Sequence, residues 1–248
     1  MNKERYIIDL IHRIEYEWKH PKIAPDGSQE YPAVDEANTI EDISLVPIIE
    51  KLLLKTKKVS DTQNLLKILG NIAGKTGDKR AWGIILPYLN HKNRYIVEEV
   101  LWAIDIAKYA NAKRIVEKLT KSQYWNVRHE AIEILGEIGD KKSIKVLMEI
   151  LQKSNDQFDL TYANASLGKL LKKWNEPAVI PLLIKQAYSN KLDVAGSAIF
   201  ALGETGDNRA TDVIVDLLSN SKILTVSFFG KTIFTFILPY FSAEAESW

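Results

Sequence analysis

The residues best equipped for chemistry are few and scattered. His129-Glu130 pairs an imidazole with a carboxylate, donor types that suit a transition metal, but such a centre needs several pairs converging. Only four histidines occur, His12, His20, His91 and His129, and no other is followed by glutamate. His129 is therefore read as a surface histidine with Glu133 one helical turn on. Gly74-Lys75-Thr76 mimics the end of a phosphate-binding loop, whose full motif needs a glycine five residues before the second one and a strand ahead of it. Position 69 is Leu and residues 61–73 read helical, so nucleotide binding is rejected. Neither a Gly-x-Ser-x-Gly elbow nor His-Glu-x-x-His occurs, and Glu98-Glu99 reads as the solvated face of a helix. The absence of cysteine excludes disulfides, thiolate zinc sites and cysteine nucleophiles. No catalytic, cofactor or metal residue is assigned, and no cofactor is expected.

The elements that carry these residues repeat. Gly74-Lys75-Thr76-Gly77-Asp78, Gly136-Glu137-Ile138-Gly139-Asp140 and Gly203-Glu204-Thr205-Gly206-Asp207 have aspartates 62 and 67 residues apart, two units of about 31–34 residues each. Weaker junctions at Asp42, Asn111 and Glu176 complete a series of six. Each unit reads as two helices. Val127, Ala131, Ile134, Leu135 and Ile138 form one 3.6-residue stripe, and Ile144, Leu147, Met148 and Leu151 form the next. The glycine before each aspartate suits a left-handed C-cap, and the aspartate suits the following N-cap.

The ends are less regular. Residues 1–60 form an irregular first unit, with a helical stripe from Tyr6 to Trp18 and a second helix over 42–58. Between them Pro21, Pro25, Asp26-Gly27 and Pro32 mark a non-helical insertion, residues 20–41. Residues 61–220 are regular repeats. The aromatic, β-branched run within 221–248 reads as a degenerate helical cap, with a strand or a dimer contact as alternatives. Lys231 and Pro239 interrupt it, and it is marginal in length for a bilayer span, so no membrane association is expected. The charged, amphipathic start, with no apolar leader, leads us to expect a cytoplasmic protein.

Val127-Arg128-His129-Glu130-Ala131 followed by Leu135-Gly136-Glu137-Ile138-Gly139-Asp140 resembles the short HEAT-like repeat of phycobilin lyase subunits. Arg80-Ala81, Arg209-Ala210, Val46-Pro47 and Ile180-Pro181 match what that repeat places at the start of its second helix. The resemblance covers roughly residues 40–220. It implies an all-α fold: a single right-handed α-solenoid of about six stacked HEAT-like helix pairs, with armadillo-like first helices on the convex side and second helices lining the concave side. Helix pairs stack because one pair cannot bury its apolar face alone. Val-Arg-His-Glu-Ala also resembles a metal-binding pair of the deoxyhypusine hydroxylases. Here the equivalent positions hold Lys67-Ile68, Val100-Leu101 and Gly196-Ser197, so a di-iron centre is not expected.

What remains is surface. Lys79-Arg80, Lys113-Arg114, Lys141-Lys142 and Arg209 recur at the start of second helices, as a phosphate-tracking stripe or as partners of Asp78, Asp140 and Asp207. Residues 61–125 carry 11 basic and 6 acidic side chains, a modest patch in a chain of net charge +1. Trp82 and Trp102 read as core. Tyr124, Trp125 and Trp174 lie nearer loops beside cations, as interface aromatics do. The expected function is a non-enzymatic scaffold or adaptor binding a protein partner on its concave surface. Its anchors would be Tyr124, Trp125, Trp174, Lys79, Arg80, Lys113, Arg114, Lys141 and Lys142. A lyase-like subunit cradling a tetrapyrrole or other ligand, and a nucleic-acid-binding protein, are the alternatives.

Overall fold

The computed structural model describes residues 2–220, so the expectation for the tail 221–248 falls outside the described residues. Helix dominates: α1 (Lys3–Lys19), α2 (Pro32–Thr39), α3 (Val46–Lys55), α4 (Val59–Thr76), α5 (Lys79–Ile85), α6 (Arg94–Ala107), α7 (Lys113–Leu119), α8 (Trp125–Ile138), α9 (Lys141–Lys153), α10 (Gln157–Leu171), α11 (Ile180–Ala187), α12 (Leu192–Thr205) and α13 (Asn208–Asn220). Short 3-10 turns precede α3, α7 and α11 and follow α5. The fold is an all-α solenoid of stacked helix pairs. It divides into two compact units, residues up to Ile115 with Ser122–Glu130, and Val116–Lys121 with residues from Ala131 onward.

In the first unit α1 is an amphipathic helix that buries Ile7, Leu10, Ile11 and Ile14, and Asn2 caps it by accepting from the Glu4 N–H. The helix α4 is the unit's centre. It packs on α1, α2, α3 and α6, and Leu65, Leu66, Ile68, Leu69, Ile72 and Ala73 are all buried. Two buried amides fix its register: Asn64 Nδ2 donates to the Ile11 carbonyl at 3.1 Å, and Asn71 Nδ2 to the Ala37 carbonyl at 3.3 Å. Against α6 the contact is made by small residues. A Cβ added at Gly70 would lie 2.7 Å from Ala103 Cβ, and one at Gly74 3.1 Å from Ala107 Cβ. Glycine at these positions lets the two backbones approach.

The second unit is built the same way. The helix α10 packs on α9 and α12. A Cβ at Gly136 would meet Ser166 Cα at 2.8 Å, and one at Gly168 would meet Ala201 Cα at 3.0 Å. Asn164 Nδ2 donates to the Val194 carbonyl, and Ser166 Oγ to the Ile132 carbonyl at 2.9 Å. In the second unit each of these first helices thus ties to the next by one close small-residue contact and one buried polar bond.

The repeat junctions are as the sequence implies at two sites of three. Gly77 and Gly206 adopt left-handed φ of 69° and 63°, and Asp78 caps α5 by accepting from the Ala81 N–H at 2.7 Å. Gly139 is different. Its φ is not left-handed, and glycine is needed there because a Cβ would lie 2.3 Å from the Leu135 carbonyl oxygen. Asp140 and Ser143 close a reciprocal capping box on α9.

The insertion at 20–41 is more structured than its prolines suggest. Lys22–Ile23 (β1) and Gln29–Glu30 (β2) pair as a short antiparallel hairpin around Gly27. Pro32 then opens α2, where a missing N–H costs nothing because first-turn donors lack intrahelical partners. Glu17 accepts from the Ala33 N–H and ties α2 to α1.

Candidate functional site

The cations expected to matter stand where the repeats put them, in the first turn of second helices, but they are unequally engaged. In the first unit Lys79 and Arg80 open α5, and Arg80 bonds Glu50 of the preceding pair at 2.6 Å. Lys113 and Arg114 open α7. In the second unit Lys141 and Lys142 open α9, and Lys141 reaches Glu176 at 3.5 Å. Among the described residues, Lys79, Arg114 and Lys142 have no ion-pair partner. At the third junction the Arg209 guanidinium binds Asp207 and holds its carboxyl at a pKa of about 2. Asp78 and Asp140 accept from backbone N–H groups of their helices. Arg80 and Lys141 turn to glutamates on a neighbouring pair.

The aromatics sort cleanly. Trp82 is buried and stacks on Tyr109, with ring centroids 3.9 Å apart. Tyr124 and Trp125, at the start of α8 in the first unit, are exposed, and so is Trp174 in the turn after α10 in the second. Beside Trp174, Lys172 pairs with Glu204 at 2.6 Å. Trp102 is not fully core. It is half-buried, with the Lys67 ammonium 4.0 Å from its ring centroid.

Lys67 on α4 and Glu99 on α6 form a largely buried ion pair at 3.0 Å. Burial pushes the Glu99 carboxyl above the usual carboxylate range, and Lys67 opposes that shift. Glu98 is also raised by burial, and Asn126 donates to it. The burial of this adjacent pair was hidden from the sequence, because solvated and buried glutamates on an amphipathic helix look alike. His129 is likewise buried rather than at the surface, its ring tilted against Trp125 at 5.7 Å.

The first unit also carries a groove of about 460 Å³ along α1, lined by Asp9, His12, Arg13, Tyr16, Glu17 and His20. Its Arg13 is already bonded to Glu36 at 2.7 Å and Asp9 at 2.9 Å. Tyr6, desolvated and donating to Glu36, has its hydroxyl pushed up to about 12. The network braces α2 on α1, which explains how the insertion stays attached.

Residues 84–168 match a model of HEAT repeats, and residues 194–220 match the PBS lyase HEAT-like repeat. The repeats are HEAT-like. No curated protein matches the chain by sequence. Solved structures similar to it include an engineered protein (19% identity, 79% of this chain and 96% of that one, TM-score 0.49). Another is the CpcE and CpcF complex of phycocyanin lyase from Nostoc sp. PCC7120 (19%, 82% and 83%, 0.46). A third is a designed armadillo repeat protein in complex with the peptide (KR)4 (16%, 80% and 98%, 0.47). Among the described residues, no helix is long and apolar enough to cross a membrane.

These HEAT-like repeats explain the division of labour along each helix. The stripe that faces neighbouring pairs is buried, and several first-turn side chains are exposed. Val59, Tyr95, Phe158 and Leu192 are exposed first-turn residues that sequence reasoning missed. Their signal was an apolar side chain directly after a loop, where neither the stripe nor the cap calls for one.

Proposed function

We propose that this protein is a HEAT-repeat adaptor that docks a protein partner, and that it does so through side chains at helix ends and on the face of its second helices. The observation that carries the reading is the exposure of Tyr124, Trp125 and Trp174 beside cations, in a chain that buries Trp82 in its core. Large aromatics at a wet surface lose area to water unless something covers them, and they are the side chains that anchor interfaces. Lys79, Arg114 and Lys142, lacking acidic partners, support the same reading by offering charge to a partner's carboxylates. The test is substitution. Tyr124→Ala and Trp174→Ala should each weaken a partner held by the wild-type chain while leaving the helical circular dichroism unchanged. A partner held equally well by both variants contradicts the proposed anchors.

A second reading, a lyase-like subunit cradling a tetrapyrrole, is supported by the match of residues 194–220 to the PBS lyase HEAT-like repeat. It predicts a visible absorbance band from a bilin that co-purifies with the chain. A colourless preparation that also fails to bind added bilin excludes it.

A further inference from the structure

Glycine is the twelfth residue of four helices: Gly70 in α4, Gly136 in α8, Gly168 in α10 and Gly203 in α12. In α1 and α6 that place is held by Ile14 and Asp105. Glycine inside a helix costs stability, so each of the four calls for a reason. Three have one. A Cβ at Gly70 would lie 2.7 Å from Ala103 Cβ, one at Gly136 2.8 Å from Ser166 Cα and one at Gly168 3.0 Å from Ala201 Cα. Each partner is the tenth residue of its own helix, α6, α10 or α12. Gly203 is exposed, and among the described residues a Cβ there would meet nothing within 4 Å.

The first, fifth, eighth and twelfth residues of a helix lie on one face. In α4 the fifth, Gln63, donates to the Tyr95 carbonyl of α6 at 3.3 Å. In α8 the carbonyl of the eighth, Ile132, accepts from Ser166 of α10 at 2.9 Å. In α10 the eighth, Asn164, donates to the Val194 carbonyl of α12 at 3.2 Å. These helices therefore turn this face towards the first helix of the following pair. In α12 the face reads Leu192, Gly196, Ile199 and Gly203, without a polar side chain, and Leu192 is 54% exposed. The helix packs on α10, α11 and α13, none of which fills the space at Gly203.

The chain carries a matching occupant directly downstream. Connections of three to five residues lead into α4, α6, α8, α10 and α12. After α13 ends at Asn220, the same spacing would start a helix at 224–226. The helices α6, α8 and α12 are 14 residues long. A helix of that length from 224 stops just ahead of Pro239, which cannot continue one. Val226, Gly230, Ile233, Phe234 and Ile237 repeat the spacing of Val127, Ala131, Ile134, Leu135 and Ile138, the buried stripe of α8. Lys231 is the one charged residue in 224–238, so packing this segment removes apolar area from water. We propose that residues 224–238 form a further first helix that packs on Leu192, Gly196, Ile199 and Gly203 of their own chain. In the register of α8 its tenth residue is Ile233, which stands against Gly203 as Ser166 stands against Gly136. The inference does not depend on the adaptor reading.

The chain has no cysteine, so an introduced pair reports on a single contact. In the full chain Gly203→Cys is combined in turn with each single change from Phe229→Cys to Ile237→Cys, and every double variant is oxidised at low protein concentration. Disulfides close where backbones approach as Gly136 and Ser166 do. Ile233→Cys should close fastest and within one chain, read as a monomer that has lost two hydrogens, while Lys231→Cys on the opposite face should stay reduced. A second measurement needs no cross-link. Gly203→Ala should lower the urea midpoint, because its methyl meets the packed helix. On an open face the same change would raise it, as expected for any unhindered interior glycine. Equal closure at all tail positions, or a raised midpoint for Gly203→Ala, overturns the proposal. Links formed only between two chains also overturn it, by giving the face to the segment of a second copy.

Discussion

Two glycine-to-alanine substitutions in the first unit should move stability in opposite directions, because one glycine faces open space and the other a neighbouring helix. Gly83 lies inside α5, and a Cβ there would meet nothing within 4 Å. Gly83→Ala should therefore stabilise by about 0.5–1 kcal/mol, the backbone entropy that glycine loses on entering a helix. Gly70 lies inside α4, and its added Cβ would stand 2.7 Å from Ala103 Cβ. The same entropic gain is then opposed by overpacking of about 1–3 kcal/mol, so Gly70→Ala should destabilise by roughly 0.5–2 kcal/mol on that balance. Removing the obstructing methyl gives the decisive arm. With Ala103→Gly in the same chain, the nearest atom to the new Cβ is Ala103 Cα at 3.8 Å, an ordinary contact. The double variant should be more stable than the sum of the single changes by about 1–2 kcal/mol, a coupling typical of residues in contact. Urea midpoints for wild type, the three single variants and the double variant measure all these terms. Additive effects, or a Gly70→Ala chain as stable as Gly83→Ala, would refute the close helix contact on which the repeat stacking is argued.

Other perturbations follow from the same packing. Asp140→Ala should cost about 1 kcal/mol by opening the capping box on α9, read as a lower urea midpoint. Asp42, bound by Lys3 and Ser44, has its carboxyl held near a pKa of about 2 against an ordinary 3.8. Its contribution to stability is full above pH 3.8 and fades as the pH falls towards 2, so Asp42→Asn should flatten that part of the acid limb of a stability–pH profile. Glu99 has the opposite sign. Burial raises its pKa above 4.5, so it favours folding below that pH and loses the advantage as the pH rises through its folded value. Glu99→Gln should weaken the decline of stability above pH 4.5, and an unchanged profile would remove Glu99 from that role.

The solenoid was legible because its signals are local and repeat. Three Gly-x-x-Gly-Asp junctions and 3.6-residue stripes define helix pairs, and Trp82 read correctly as core because its register matches Ile144. The junction at Gly139 was misread as a left-handed cap, since glycine allows both a positive φ and close backbone contact, and only coordinates separate them. The helix Pro32–Thr39 was hidden by the prolines around it, although proline at a first helical position begins a helix as readily as proline elsewhere ends one. Buried polar groups were the least visible. Lys67, Glu99, Asn64 and His129 each sit on an amphipathic helix among exposed polar residues, and partners 32 to 53 residues away in sequence decide which are buried for Lys67, Glu99 and Asn64.

The most direct measurement for the adaptor account is affinity capture of the tagged protein from its own cell lysate at low and high salt, with the bound material identified by mass spectrometry and absorbance. The account predicts a stoichiometric protein partner that persists at high salt and weakens on Tyr124→Ala or Trp174→Ala. Recovery of nucleic acid alone, shed as salt rises and lost when Lys79, Arg80, Lys113 and Arg114 are replaced together, or of a coloured small molecule alone, would contradict it.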